Sequence, residues 1–147
     1  MGHFVKTVII RAPVAQVWDF ITHTSRLTEW AAEAVEAASA DAMVVGTTWT
    51  EKMHVAGAPL ETTWRIAEQD AERKLVFIGT STGGGKARGQ HTLAPHADGT
   101  EMTTEVEYSL PGSVFGRVLD KLVMERKTEG DIAEMLRKAK ERLEAGG

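Results

Sequence analysis

The sequence predicts an α+β fold in which antiparallel strands are followed by one long C-terminal helix. Two observations support this prediction: strand-like segments joined by short turns fill most of residues 4–110, and residues 114–144 contain no proline and carry a helical apolar stripe. The chain has 147 residues, of which 42% are hydrophobic, a length typical of one domain. We therefore expect a single domain over residues 1–147.

The N-terminal part of the chain predicts one strand and two short helices. Residues 4–11 are rich in β-branched side chains and end before Pro13, which suits the first turn of a helix. A second short helix is expected to carry Leu27 and Trp30, with Thr24 or Ser25 as its N-cap. The first of these helices ends near residue 22, and its apolar face consists of Val14, Val17, Trp18 and Ile21.

The middle of the chain predicts the sheet. One weak strand is expected within residues 31–46, and residues 47–55 and 60–67 alternate as a hairpin around the turn at 57–59. Further strands are expected at 74–79, 86–94 and 101–110. In the last strand three glutamates and a threonine share one face, which must be exposed, so the opposite face is the inner one. That inner face carries Met102, Thr104, Val106 and Tyr108.

The C-terminal segment predicts a helix from residue 114 to about residue 144, after a break and N-cap at residues 111–113. Gly116 and Gly130 interrupt it, and glycine inside a helix costs about 0.5–1 kcal/mol relative to alanine. We therefore expect each glycine to allow close packing or a bend.

Composition and motifs exclude several classes of function. The net charge of −4 does not provide the basic surface that nucleic acids need, and the absence of cysteine excludes thiolate chemistry. No apolar run is long enough to span a bilayer, so we expect a cytoplasmic protein without stable membrane insertion. The glycines before Lys86 do not match a phosphate-binding loop, and no histidine spacing indicates a metal. We therefore expect no cofactor and no metal. We expect the protein to be a monomer or a homodimer.

The ordered elements and several motifs resemble the START-like helix-grip superfamily (SRPBCC), and within it the bacterial polyketide cyclase/dehydrase and lipid-transport group. The motifs are IIRAPVAQVWDFI from Ile9, Trp30, VGTTWTE from Val45, ADGTEMTTEVEYSL from Ala97 and LPGSVFGRVLDKL from Leu110. The resemblance covers nearly the whole chain. It implies a curved sheet of six to seven strands wrapped around the long C-terminal helix, with two short helices after the first strand and a ligand cavity between sheet and helix.

Polar residues on the inner face are the candidates for function. Glu51 and His91 lie on the predicted inner register, where an unpaired polar group costs about 1–3 kcal/mol. They either pair with each other, lie near strand ends, or line a pocket and orient a ligand carbonyl or hydroxyl group, with His91 available for proton transfer near neutral pH. The ligand-binding candidates are Trp49, Met53, Trp64, Phe77, Thr104, Tyr108, Leu119 and Val123. The small residues Gly89, Thr62 and Thr104 are expected to leave room in the middle of the sheet.

The first hypothesis for function is binding of a hydrophobic small molecule, such as a lipid, isoprenoid or aromatic polyketide. One alternative is a cofactor-independent polyketide cyclase or dehydratase that uses His91 and Glu51 as acid and base. Another alternative is a partner-binding module of the stress-response or chaperone-activator kind, which would use the outer surface and need no cavity.

Overall fold

The computed structural model describes residues 2–55, 58–109 and 121–146, without the side chains at 55, 58, 121–125 and 127. Its strands are β1 (Gly2–Ile10), β2 (Ala34–Glu36), β3 (Thr48–Val55), β4 (Ala58–Asp70), β5 (Lys74–Ser81), β6 (Lys86–His96) and β7 (Gly99–Ser109). These strands form one antiparallel sheet in the order β1-β7-β6-β5-β4-β3-β2. The predicted sheet of six to seven strands is confirmed, including the weak strand around Val35.

The helices also follow the prediction. Helix α1 (Val14–Ile21) begins directly after Pro13, a 3-10 helix covers Thr24–Glu29, and helix α2 covers Lys121–Glu144. The α+β class is therefore confirmed. The predicted break at 111–113 and the first part of the C-terminal helix, with Gly116, lie outside the described residues. Within the described part of the chain, no helix is both long and apolar enough to cross a membrane.

The two faces of β7 have the orientation that the sequence predicts. Thr100, Met102 and Thr104 are fully buried, whereas Glu107 on the opposite face is exposed. Because the strand alternates its side chains, the face with the carboxylates is turned toward solvent and the other face borders the core.

The core lies between the inner face of the sheet and the helices. Helix α1 contributes Val17, Phe20 and Ile21, and α2 contributes Ile132, Leu136, Ala139 and Leu143. The last turns of α2 are tied to the end of β1. Lys140 Nζ donates a hydrogen bond to the Ile9 carbonyl oxygen at 2.6 Å, and the Arg11 backbone N–H donates to Glu144 Oε2 at 2.9 Å.

The surroundings of Gly130 do not support the expected close packing, and the alternative, a bend in the helix, stays a prediction. Gly130 is exposed on α2, and a Cβ atom added there would meet nothing within 4 Å. Since none of the described atoms outside the local helix backbone approaches this position, close packing does not explain Gly130, which is a weak point of the helix.

Candidate functional site

A cavity of about 220 Å³ lies between the sheet and the helices. Its walls are mostly apolar, and the polar groups that line it come from the strands and from one stretch of α2. The aromatic residues in the lining are Trp30, Trp49, Trp64, Phe77 and Tyr108. The other lining residues include Leu27, Met43, Glu51, Met53, Thr62, Leu75, Lys86, Ala87, His91, Thr128, Asp131, Ile132 and Met135.

The aromatic wall is built across strands. Trp64 and Phe77 meet edge to face with ring centroids 5.3 Å apart, and Phe77 lies 4.9 Å from the His91 ring. Gly79 is directly opposite Trp64, and Gly89 is directly opposite Phe77. A Cβ atom at either glycine would overlap the facing ring. The space beside Gly89 is therefore occupied by Phe77, which corrects the expectation that this glycine leaves room for a ligand.

Glu51 is a buried carboxyl group in the cavity wall. It lies in the middle of β3 opposite Thr62, and only 7% of its surface is exposed. Trp49 Nε1 donates a hydrogen bond to Glu51 Oε1 at 3.0 Å. Burial raises the pKa of Glu51 to about 7, while the indole N–H groups of Trp49 and Trp64 act in the opposite direction by favouring the ionised form. Glu51 can therefore hold or release a proton near neutral pH.

His91 forms a hydrogen bond with Thr104 on the neighbouring strand. Its Nδ1 lies 2.8 Å from Thr104 Oγ1, and its ring also contacts Trp30 at a centroid distance of 5.5 Å. Burial lowers the pKa of His91 to about 4, because the charged imidazolium would lose its hydration. His91 is thus neutral at pH 7. The hypothesis that His91 takes part in proton transfer near neutral pH stays a prediction.

The structure brings most of the predicted site residues together. The cavity lining includes Glu51, His91, Trp49, Met53, Trp64, Phe77 and Tyr108. Within the described structure Glu51 and His91 do not form a hydrogen bond with each other. Glu51 accepts a hydrogen bond from Trp49, and His91 forms one with Thr104. The two residues belong to one cavity without forming a pair.

Three of the predicted ligand-binding residues do not appear in this lining. Thr104 is fully buried behind His91, where its hydroxyl group fixes the imidazole rather than facing the cavity. Leu119 lies outside the described residues, and so does the side chain of Val123.

Several lining residues were missed by sequence reasoning. Trp30 was recognised only as the end of the second short helix, yet it is 3% exposed and lines the cavity. Thr128 and Asp131 line it from α2. They lie one turn before Ile132 and Met135, so the helical phase of the apolar stripe was the signal that could have found them.

Two indole N–H groups in this wall are buried without an acceptor. Trp30 Nε1 and Trp64 Nε1 make no hydrogen bond of regular geometry within the described part of the chain. Trp64 nevertheless lies close enough to Glu51 to favour its ionised form. Buried donors normally have a partner, so these groups are available to an acceptor atom on a bound molecule.

A metal centre has no support in the described structure. No group of three or more histidine, aspartate or glutamate side chains there is arranged to hold an ion. The polar groups of the cavity are instead dispersed among aromatic and aliphatic side chains, an arrangement typical of sites for small organic molecules.

Residues 1–144 match the family described as polyketide cyclase/dehydrase and lipid transport. The comparison with curated proteins finds no match.

Solved structures with the same fold come from several bacteria. Protein CV1439 from Chromobacterium violaceum is 14% identical with a TM-score of 0.74, over 98% of this chain and 99% of that one. Protein MLL2253 from Mesorhizobium loti is 14% identical with a TM-score of 0.73, over 99% and 98%. Protein TTHA0849 from Thermus thermophilus is 20% identical with a TM-score of 0.71, over 99% and 98%. At these identities the likeness establishes the fold alone.

Proposed function

Because this chain belongs to the polyketide cyclase/dehydrase and lipid transport family, we propose that it binds a compact aromatic molecule of the polyketide type inside its cavity. Family membership points to a hydrophobic ligand. The observation that carries the finer proposal is the cavity of about 220 Å³, whose lining includes five aromatic side chains.

The size of the cavity favours a small ligand. An apolar cavity of about 150 Å³ accepts benzene, whereas pockets for drug-sized ligands have about 300–1,000 Å³. A volume of about 220 Å³ lies between these values and suits a molecule of about the size of naphthalene. A diacyl lipid would have to leave much of its chains outside, so among lipid, isoprenoid and aromatic polyketide we favour the last.

The walls of the cavity favour a flat ring over a flexible chain. Trp64 and Phe77 present rings in an edge-to-face arrangement, and aromatic pairs of this kind contribute about 0.5–1.5 kcal/mol beyond the burial of apolar area. A rigid aromatic ligand would extend this set of contacts. It would also lose less conformational freedom on binding than an acyl chain would.

Native mass spectrometry of the protein purified from its own host tests this proposal. We expect a co-purifying small molecule that is released on denaturation and absorbs in the near ultraviolet. Ala87→Phe should displace it, because Ala87 lines the cavity. Ala94→Phe is the matched control, since Ala94 lies on the same strand and is exposed. A ligand retained equally by both variants would place the binding site elsewhere.

Catalysis is the second candidate function, and Glu51 is the observation that favours it. A carboxyl group with a pKa of about 7 in an apolar cavity is suited to general acid or base chemistry near neutral pH. In a cyclase or dehydratase Glu51 would move the proton, while His91, neutral and bonded to Thr104, would orient a substrate oxygen. The partner-binding alternative stays a prediction, because it concerns the outer surface and not the cavity.

A further inference from the structure

We infer that the cavity selects a hydroxyl-bearing ligand, whose hydroxyl group is held between the Glu51 carboxyl group and the Trp64 indole N–H, and that it rejects the matching carboxylate. This inference rests on the proposed function and specifies the polar group of the ligand.

The strand register places the two protein groups beside each other. Trp49 and Trp64 are directly opposite on β3 and β4, and Glu51 lies two residues after Trp49 on the same face. The Trp49 N–H already donates to Glu51 Oε1 at 3.0 Å. The Trp64 N–H, on the neighbouring strand, lies close enough to favour the ionised Glu51 carboxylate but makes no hydrogen bond of regular geometry in the described structure. The Glu51 carboxyl group, which accepts one regular hydrogen bond, and the Trp64 N–H, which makes none, therefore lie close together in the wall.

A hydroxyl group satisfies both of these groups at once, because it donates one hydrogen bond and accepts others. It can donate to the ionised Glu51 carboxylate and accept from Trp64, and it can equally accept from the protonated carboxylic acid. A ketone or ether oxygen accepts only, so it could accept from Trp64 and from the protonated Glu51 acid, but it could not form a hydrogen bond with the ionised carboxylate. The wall is thus suited to an alcohol or a phenol.

A carboxylate on the ligand would meet unfavourable surroundings. Among the described lining residues the one basic side chain with a permanent charge is Lys86, which is exposed at the start of β6. The buried polar side chains are Glu51, Thr62, His91 and Tyr108. A buried anion without a cation is costly, and a second carboxyl group nearby adds repulsion.

The test measures the affinity of three probes that share one ring system: 2-naphthol, naphthalene and 2-naphthoate, by titration at pH 7. For the native chain we expect 2-naphthol to bind about tenfold more tightly than naphthalene, a difference of about 1.4 kcal/mol, because its hydroxyl group forms hydrogen bonds that naphthalene cannot form. We expect 2-naphthoate to bind more weakly than naphthalene.

Two variants and one control test whether the preference for 2-naphthol over naphthalene depends on Glu51 and Trp64. Glu51→Met keeps the length of the side chain and removes its polar atoms, so the preference for 2-naphthol over naphthalene should fall to about twofold or less. Trp64→Phe removes the indole donor and should reduce the same preference. Glu107→Met changes an exposed glutamate on the outer face of β7 and should leave all three affinities unchanged.

The outcomes separate this inference from the proposed function. If naphthalene and 2-naphthol bind but Glu51→Met leaves the ratio of their two affinities unchanged, the inference about the hydroxyl group fails, while the proposal that the cavity binds a ligand stands. The same holds if 2-naphthoate binds the native chain as tightly as 2-naphthol does. If none of the probes binds the native chain, both proposals fail.

Discussion

Glu51 is the residue on which the chemistry of the cavity depends. Its carboxyl group lies among Trp49, Trp64 and Met53, and its hydrogen bond from Trp49 only partly replaces the water that it loses on folding. A protein that needed only a stable core would place an apolar side chain here. A buried carboxyl group with a strongly raised pKa in a cavity is instead characteristic of functional sites.

Replacing Glu51 with glutamine should change how stability depends on pH. The pKa of Glu51 rises from 4.5 to about 7 on folding, so between these values the folded state holds the proton more tightly than the unfolded state does. The native chain therefore loses stability as pH rises through this window. The Glu51→Gln variant has no titrating group at this position. Its free energy of unfolding, relative to that of the native chain, should therefore rise by up to about 3 kcal/mol between pH 4 and pH 8.

Urea denaturation of both proteins at several pH values measures this difference. His91 titrates in the opposite sense, since its lowered pKa makes stability fall as pH drops from 6.5 toward 4. That contribution is common to both proteins and cancels in the comparison. Glu107→Gln controls for the loss of one exposed negative charge. A difference between Glu51→Gln and the native chain that does not vary with pH would contradict this account of Glu51.

The position of Glu51 in the cavity wall could be predicted from residue type and register. The pKa values of Glu51 and His91 could not be predicted in this way. Alternation along β3 places Glu51 on the inner face with Trp49 and Met53, as the sequence predicts. The pKa of His91 is lowered by burial, and the rings of Trp30 and Phe77 that contact it are distant in sequence. Burial by residues distant in sequence is a tertiary property that local patterns do not encode.

At the scale of the elements, glycines facing aromatic rings shape the sheet. The rings of Trp64, Phe77 and Tyr108 each lie over a glycine of the adjacent strand, at Gly79, Gly89 and Gly2 respectively. A side chain on any of these glycines would push the facing ring away. The glycines therefore fix the position of the aromatic cavity wall.

Alanine substitutions at two glycines should have opposite effects on stability. Gly89→Ala should destabilise the protein by about 1–3 kcal/mol, because the new methyl group overlaps the Phe77 ring, which is confined by Trp64 and His91. Gly130→Ala should stabilise it by about 0.4–1 kcal/mol, since no atom of another described element lies within 4 Å of that position on α2. Thermal denaturation of both variants measures these changes, and equal shifts of the same sign would be inconsistent with this packing.

The elements could be predicted well where one periodicity dominates. Alternation indicated the β3–β4 hairpin, but β4 is longer than predicted: it covers Ala58–Asp70, with a bulge between Ile66 and Glu68 in its pairing with β5. The capping of the 3-10 helix differs from the prediction. Thr24 Oγ1 donates to the Ala40 carbonyl oxygen and caps no helix, since a tertiary hydrogen bond replaces the local one.

At the scale of the whole molecule, the order of elements is sufficient to identify the fold. The C-terminal turns of α2 are fixed to β1 through Lys140 and Glu144, while the middle of the helix borders the cavity through Thr128, Asp131 and Met135. One helix thus both closes the core and forms a cavity wall. The volume between helix and sheet could not be predicted from the sequence, because it depends on how far apart the packed elements stand.

A crystal structure determined with naphthalene present would show whether the cavity between sheet and helix holds an aromatic ligand. We expect one ring system inside the cavity, in contact with Trp49, Trp64 and Phe77, with the backbone of the sheet unchanged. An interior filled by the protein's own side chains, with naphthalene absent or bound only on the outer surface, would contradict this expectation.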